Sequence, residues 1–138
     1  MELLLRNGKS VNVREYSESD FVNIQRLNIK EGWTNLVEKK DDTKQAWDHS
    51  NIAFVVMDEG GFVGYIRGIT DKFITLFIGE LVVSTDYRGL GVGQGLLKYV
   101  HSLYPKTRIE MLATSTSRTY YEEQGYRAFY GFRKTFEE

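Results

Sequence analysis

The chain has 138 residues, a net charge of −1 and no cysteine. That length suits a single domain, residues 1–138, with room for a real core, and the near-neutral charge gives no electrostatic footprint for nucleic acid or an anionic membrane. The missing thiols exclude disulfides, thiolate metal sites and a cysteine nucleophile, and they fit a reducing compartment.

No run approaches the ~20 apolar residues that span a bilayer, and the start, Met1–Lys9, is too soon interrupted to serve as a signal peptide. The expectation is a cytoplasmic protein. In chain order, Glu2–Arg6 and Lys9–Tyr16 flank Asn7-Gly8, a hairpin signal. Ser17–Asp20 offers N-caps, and Phe21, Ile24, Leu27 and Asn28 step at helical spacing, predicting a helix from about Glu18 to Lys30. Glu31–Asn35 interrupts it, and Asp42–Asp48 reads as a short second helix. Ile52–Asp58, Phe62–Ile69 and Phe73–Val83 are apolar runs separated by Glu59-Gly60-Gly61 and Thr70-Asp71-Lys72, which predicts an antiparallel meander. A helix through Leu96, Leu97, Val100 and Tyr104 must stop at Pro105. Lys106–Ala113 reads as a strand, Thr114–Gln124 as a helix capped by Gly125, and Tyr126–Phe136, with alternating aromatics, as a last strand.

Between Val83 and that long helix lies Arg88-Gly89-Leu90-Gly91-Val92-Gly93-Gln94-Gly95, with four glycines at alternate positions. Glycine permits positive φ and close approach of the backbone to a ligand. The helix head that follows leaves N–H groups unpaired and carries partial positive charge. Strand, glycine turn and helix together make an anion site suited to a phosphate or diphosphate. The dinucleotide fingerprint GxGxxG fails in every frame, because its third glycine would fall on Gln94, Leu96 or Lys98. The P-loop fails for want of Gly-Lys-Ser/Thr.

What the segment does match is Arg88-x-x-Gly91-x-Gly93, which resembles the (Q/R)xxGx(G/A) pattern of the GNAT superfamily of N-acetyltransferases, with Leu81-Val82-Val83 resembling that family's LxV strand. The resemblance implies an α+β fold: a mixed, largely antiparallel twisted sheet flanked by helices. In it the strands Phe73–Val83 and Lys106–Ala113 splay apart to admit the pantetheine arm of acetyl-CoA. It also implies that Leu81, Val82 and Val83 line that arm, and that Arg88, Gly89, Leu90, Gly91, Val92, Gly93 and Gln94 hold the diphosphate.

A second resemblance is Tyr120-Tyr121-Glu122-Glu123-Gln124-Gly125-Tyr126, similar to the family's FYEKLGF signature. It puts Tyr121 on the family's catalytic tyrosine, where a phenol with a reference pKa near ~10 can donate a proton to a departing thiolate. The family's upstream asparagine falls on Thr114, a cofactor contact by position, and its alanine on Ser117. Glu80, before the cofactor strand, is the candidate base for the attacking amine: either a desolvated carboxylate or one paired with a neighbouring lysine or arginine. Trp33, beside Gly32, is either a core plug or, by the resemblance, a contact for the acetyl acceptor.

The implied activity is transfer of the acetyl group of acetyl-CoA to a primary amine of a small molecule or peptide, directly in a ternary complex. The alternative is a catalytically silent CoA-binding or protein-interaction domain of the same fold. Glu31, Asp41 and Asp42 near the presumed entrance suit a cationic amine. Two histidines, His49 and His101, with no His-x-x-x-His pair, give no expectation of a metal. A monomer or a homodimer is equally compatible with the sequence.

Overall fold

Asn7-Gly8 turns the chain, with Gly8 at φ 87°, so that β1 (Glu2–Leu4) runs antiparallel to β2 (Ser10–Glu15). The computed structural model describes all 138 residues, Met1–Glu138. One 3-10 turn, Glu18–Asp20, leads into α1 (Phe21–Glu31), which ends where Gly32 takes the left-handed conformation at φ 82°. Then come α2 (Thr34–Glu38), α3 (Lys40–Asp48), β3 (Ile52–Asp58), β4 (Gly61–Thr70), β5 (Thr75–Val83), α4 (Val92–Leu103), β6 (Arg108–Met111) and α5 (Arg118–Glu123). The six strands lie in sequence order in one sheet, and every pair is antiparallel except β5 and β6. Parallel neighbours need a crossover, and α4 supplies it.

Alternation along the strands separates two cores. Val56, Ile66, Leu76 and Ile78 meet Val92, Leu96, Leu97 and Val100 of α4 on one face. Val55, Tyr65 and Val82 meet Phe21, Ile24 and Leu27 of α1, with Trp47 of α3, on the other. The second core contains a polar chain. The Tyr65 hydroxyl donates to Asn28 Oδ1, and Asn28 Nδ2 donates to Gln25 Oε1 at 2.8 Å. Tyr65 and Asn28 are both fully buried, and burial drives the Tyr65 phenol pKa well above its ordinary value. Tyr65→Phe removes the only donor to Asn28 Oδ1, and an orphaned buried acceptor costs about 1–3 kcal/mol. A lower midpoint in denaturant at unchanged slope is the expected reading.

Four sequence expectations are corrected. Tyr126–Phe136 forms no strand: the sheet ends at β6, and Phe129, Tyr130, Phe132 and Phe136 are 76–100% exposed. Alternating aromatics fit a pleat only where a neighbour covers one face, and here the segment merely passes the end of β6, where a Cβ on Gly131 would meet Leu112. The interruption expected over Glu31–Asn35 ends early: Thr34 already opens α2, whose five residues bury no side chain, so no apolar period announced it. Strand β6 and helix α5 are also shorter than the expected Lys106–Ala113 and Thr114–Gln124. No helix is long and apolar enough to cross a membrane.

Candidate active site

Strand β5 positions the site, because it outruns its partner. Pairing with β6 stops at Ile78 opposite Met111, yet β5 continues to Val83. On the β4 side Leu81, Val82 and Val83 stay paired with Ile66, Tyr65 and Gly64. Their other edge therefore has no strand partner, and the opening is a splay in the sheet. Gly64 permits the tight β4–β5 approach here: a Cβ on it would stand 2.6 Å from the Val82 carbonyl oxygen.

The chain leaves β5 through a 3-10 turn, Thr85–Tyr87, and enters the glycine loop. Gly89 and Gly91 take φ 78° and 93°, conformations that side chains resist. Gly91 is the N-cap of α4 and makes no side-chain cap bond, so the first-turn N–H groups stay available. Beside them lies a cleft of about 660 Å³. Leu81, Val82 and Val83 line it from the strand, and Arg88, Gly89, Gly91, Val92, Gly93 and Gln94 from the loop. Tyr121 and Trp33 close it from α5 and the start of α2. Three predicted residues stand off the wall. Leu90 packs on the main core. Thr114 joins the hydroxyls of Thr116 and Ser117 at 2.9 and 3.1 Å. Glu80, within β5, turns its carboxylate to Arg67 of β4.

The Glu80 carboxylate is paired: Arg67 Nε donates to Oε1 at 2.6 Å and Nη2 to Oε2 at 2.5 Å. Both side chains are mostly covered, at 15% and 12% exposure. A bulge between Arg67 and Gly68 places the two residues opposite each other, and Gly79, lacking Cβ, leaves room for the guanidinium 2.6 Å from where that atom would be. Arg67 Nη1 also donates to Ser50 Oγ at 3.0 Å. Of the two sequence readings, the geometry is that of the pair.

Tyr121 sits edge-on to Tyr120 and Tyr126, ring centroids 5.1 and 5.8 Å away. Burial first, then those two phenols, push its pKa above the ordinary value. Tyr16 Oη is the one buried side-chain polar atom without a partner. Tyr121 Oη also makes no hydrogen bond but is not among the buried polar atoms, and the Tyr121 side chain lines the cleft. Tyr120 lines the same wall, its hydroxyl 2.6 Å from where a Cβ on Gly93 would be.

Sequence reasoning gave one charged residue another role, Glu31 as an acidic contact for a cationic acceptor, and missed a second, Arg6. Glu31, the last residue of α1, accepts from Arg88 Nη2, from Thr85 N at 3.2 Å and from Thr85 Oγ1 at 2.8 Å; its side chain is 3% exposed. It ties the motif arginine to the helix that leads into Trp33. Arg6, in the first hairpin, also lines the cleft. Both contacts span more than fifty residues, so no local pattern signals them. No cluster of three or more His, Cys, Asp or Glu side chains could hold a metal ion.

Unpaired strand edge, uncapped helix head, positive-φ glycines and two arginines fit one elongated ligand: a diphosphate joined to an extended amide chain.

Comparison with known proteins gives the same shape. A family model described as an acetyltransferase (GNAT) domain matches residues 49–128. A GNAT-family acetyltransferase from Streptococcus pneumoniae TIGR4 superposes with TM-score 0.75 at 23% identity, over 93% of this chain and 98% of that one. A GNAT-family protein from Xanthomonas campestris pv. campestris gives 0.68 at 21%, covering 90% and 94%. An aminoglycoside acetyltransferase from an uncultured soil metagenomic sample gives 0.69 at 16%, covering 92% and 98%. None of the curated proteins compared with it by sequence matches.

Proposed function

We propose that this chain, which belongs to the GNAT acetyltransferase family, transfers the acetyl group of acetyl-CoA to a primary amine of a small molecule or peptide, directly within a ternary complex. The observation that carries this reading is that the free edge of β5, the uncapped head of α4 and the Tyr121 side chain all line one cleft. Acetyl-CoA supplies an activated acyl group; the chain's own residues bind, orient and move protons. First-turn amides of α4 and the loop backbone hold the diphosphate. The edge of Leu81–Val83 aligns the pantetheine amides, and a backbone N–H at Val82–Val83 is placed to stabilise charge on the thioester oxygen. Tyr121 Oη keeps its proton at neutral pH and delivers it to the leaving sulfur.

The amine's proton goes to water in the open cleft, because both oxygens of Glu80 already accept from Arg67. Glu80→Gln then leaves kcat within about threefold but lowers stability by about 3 kcal/mol, as one broken partner of a buried pair does. A hundredfold loss of kcat at unchanged stability would make Glu80 the base.

Trp33 forms the acceptor rim. Glu31 is committed to Arg88 and Thr85, so the acidic contacts left for a cationic acceptor are Asp41 and Asp42, exposed at the head of α3, and Glu123 on the cleft wall. An acetyl-CoA assay over polyamines, aminoglycosides and lysine peptides is the test. Amine-dependent release of CoA thiol is expected; tight CoA binding with no release on any amine would favour a silent CoA-binding domain.

A further inference from the structure

Arg6 comes from the far edge of the sheet, and two contacts fix it against the glycine loop. Gly95, on the first turn of α4, has no side chain, and Leu3 of β1 fills the space: a Cβ there would stand 2.4 Å from Leu3 Cδ1. The hairpin is thereby seated on the head of α4. Arg6 N then donates to the Leu90 carbonyl at 2.9 Å, which anchors the Arg6 backbone to the loop itself.

The guanidinium reaches across the loop. Nη1 donates to the Gly89 carbonyl at 3.1 Å and Nη2 to Gln94 Oε1 at 3.3 Å. Nε lies 3.7 Å from where a Cβ on Gly91 would be. A guanidinium has five N–H donors, so three remain unused. None of the seven ion pairs includes Arg6. Arg88, by contrast, is already paired with Glu31. At the loop, Arg6 is thus the cation without a carboxylate, and its side chain lines the cleft.

We propose that Arg6 is a phosphate ligand at the nucleotide end of CoA, closing the loop from the β1 side. This rests on the acetyl-CoA reading above. A planar fork with spare donors matches phosphate oxygens two at a time. The diphosphate and the 3′-phosphate share that chemistry.

Calorimetric titration of CoA and 3′-dephospho-CoA into the wild-type chain, Arg6→Gln and Arg6→Lys tests it, with kcat/KM for S-acetylpantetheine alongside. Arg6→Gln is expected to weaken CoA about ten- to a hundredfold, the size of a lost charge-assisted bond. Arg6→Lys should recover part of that loss, keeping the charge without the fork. An equal loss for 3′-dephospho-CoA puts Arg6 on the diphosphate; a loss confined to CoA puts it on the 3′-phosphate, and either supports the assignment. A loss under about threefold overturns it. So does an equal fall in kcat/KM for S-acetylpantetheine, which has no phosphate and would show that Arg6 merely holds the loop. A wild-type chain that binds no CoA overturns the acetyl-CoA reading as well; a wild-type chain that binds it no better than Arg6→Gln does overturns this one alone.

Discussion

Gly91→Val is expected to weaken CoA binding at least a hundredfold in a chain that still folds. Gly91 sits at φ 93°, ψ 12° as the N-cap of α4, a conformation that a β-branched residue adopts only under strain of about 1–3 kcal/mol. Stability of a domain this size is about 5–15 kcal/mol, so the fold survives. The ligand site does not. Relieving the strain turns the loop amides away from the cleft, and the added methyl groups stand where an anion must approach the helix head, with the Arg6 side chain already within 3.8 Å. Calorimetry with CoA reads the loss and a thermal melt reads the fold. Affinity within threefold of wild type would remove the loop from the site.

The second large effect is on turnover. Tyr121→Phe is expected to lower kcat by about 10²–10³, within the range for a general acid, while CoA affinity and thermal stability stay near wild type. Stability is spared because Tyr121 Oη has no hydrogen bond to lose, and the ring keeps its edge contacts with Tyr120 and Tyr126. Burial raises the phenol pKa, so the proton persists through neutral pH and beyond the usual value near ~10. The alkaline arm of the wild-type kcat profile should therefore lie above pH ~10 or be absent from the accessible range. Tyr120→Phe is the control, expected to cost less than tenfold. A larger loss there than at Tyr121 would exchange their roles, and an unaltered rate in Tyr121→Phe would leave the thiolate protonated by solvent.

Those two residues were legible because each lies inside a contiguous pattern. Gly91 belongs to a strand–turn–helix segment whose glycines and apolar spacing share one short window, and Tyr121 to a seven-residue signature. The meander β3–β4–β5 was legible for the same local reason: apolar runs separated by glycine or Asp-Lys turns. Trp33 was open between a core plug and, by the family resemblance, an acceptor contact; it lines the cleft just past Gly32, where α1 ends in a left-handed cap.

What the sequence hid lies in contacts between distant segments. Arg6 meets Gly89 and Gln94 only because Leu3 packs on Gly95. Glu31 reads as an acidic residue at the entrance until the turn after β5 folds onto it and pairs it with Arg88 and Thr85. Glu80 and Arg67 are thirteen residues apart and face each other through a bulge, which no period-two count foresees. The tail failed in the opposite direction. Tyr126, Tyr130 and Phe132 carry the composition of a strand, but a strand also needs a ladder, and no strand pairs with them beyond β6.

The most direct test is a crystal structure of the chain with CoA. The expected result is a diphosphate held by main-chain N–H groups of the Gly89–Gln94 segment, with pantetheine lying along Leu81–Val83 and its sulfur near Tyr121 Oη. A diphosphate bound away from the head of α4, or an empty splay between β5 and β6 at saturating CoA, would contradict the account.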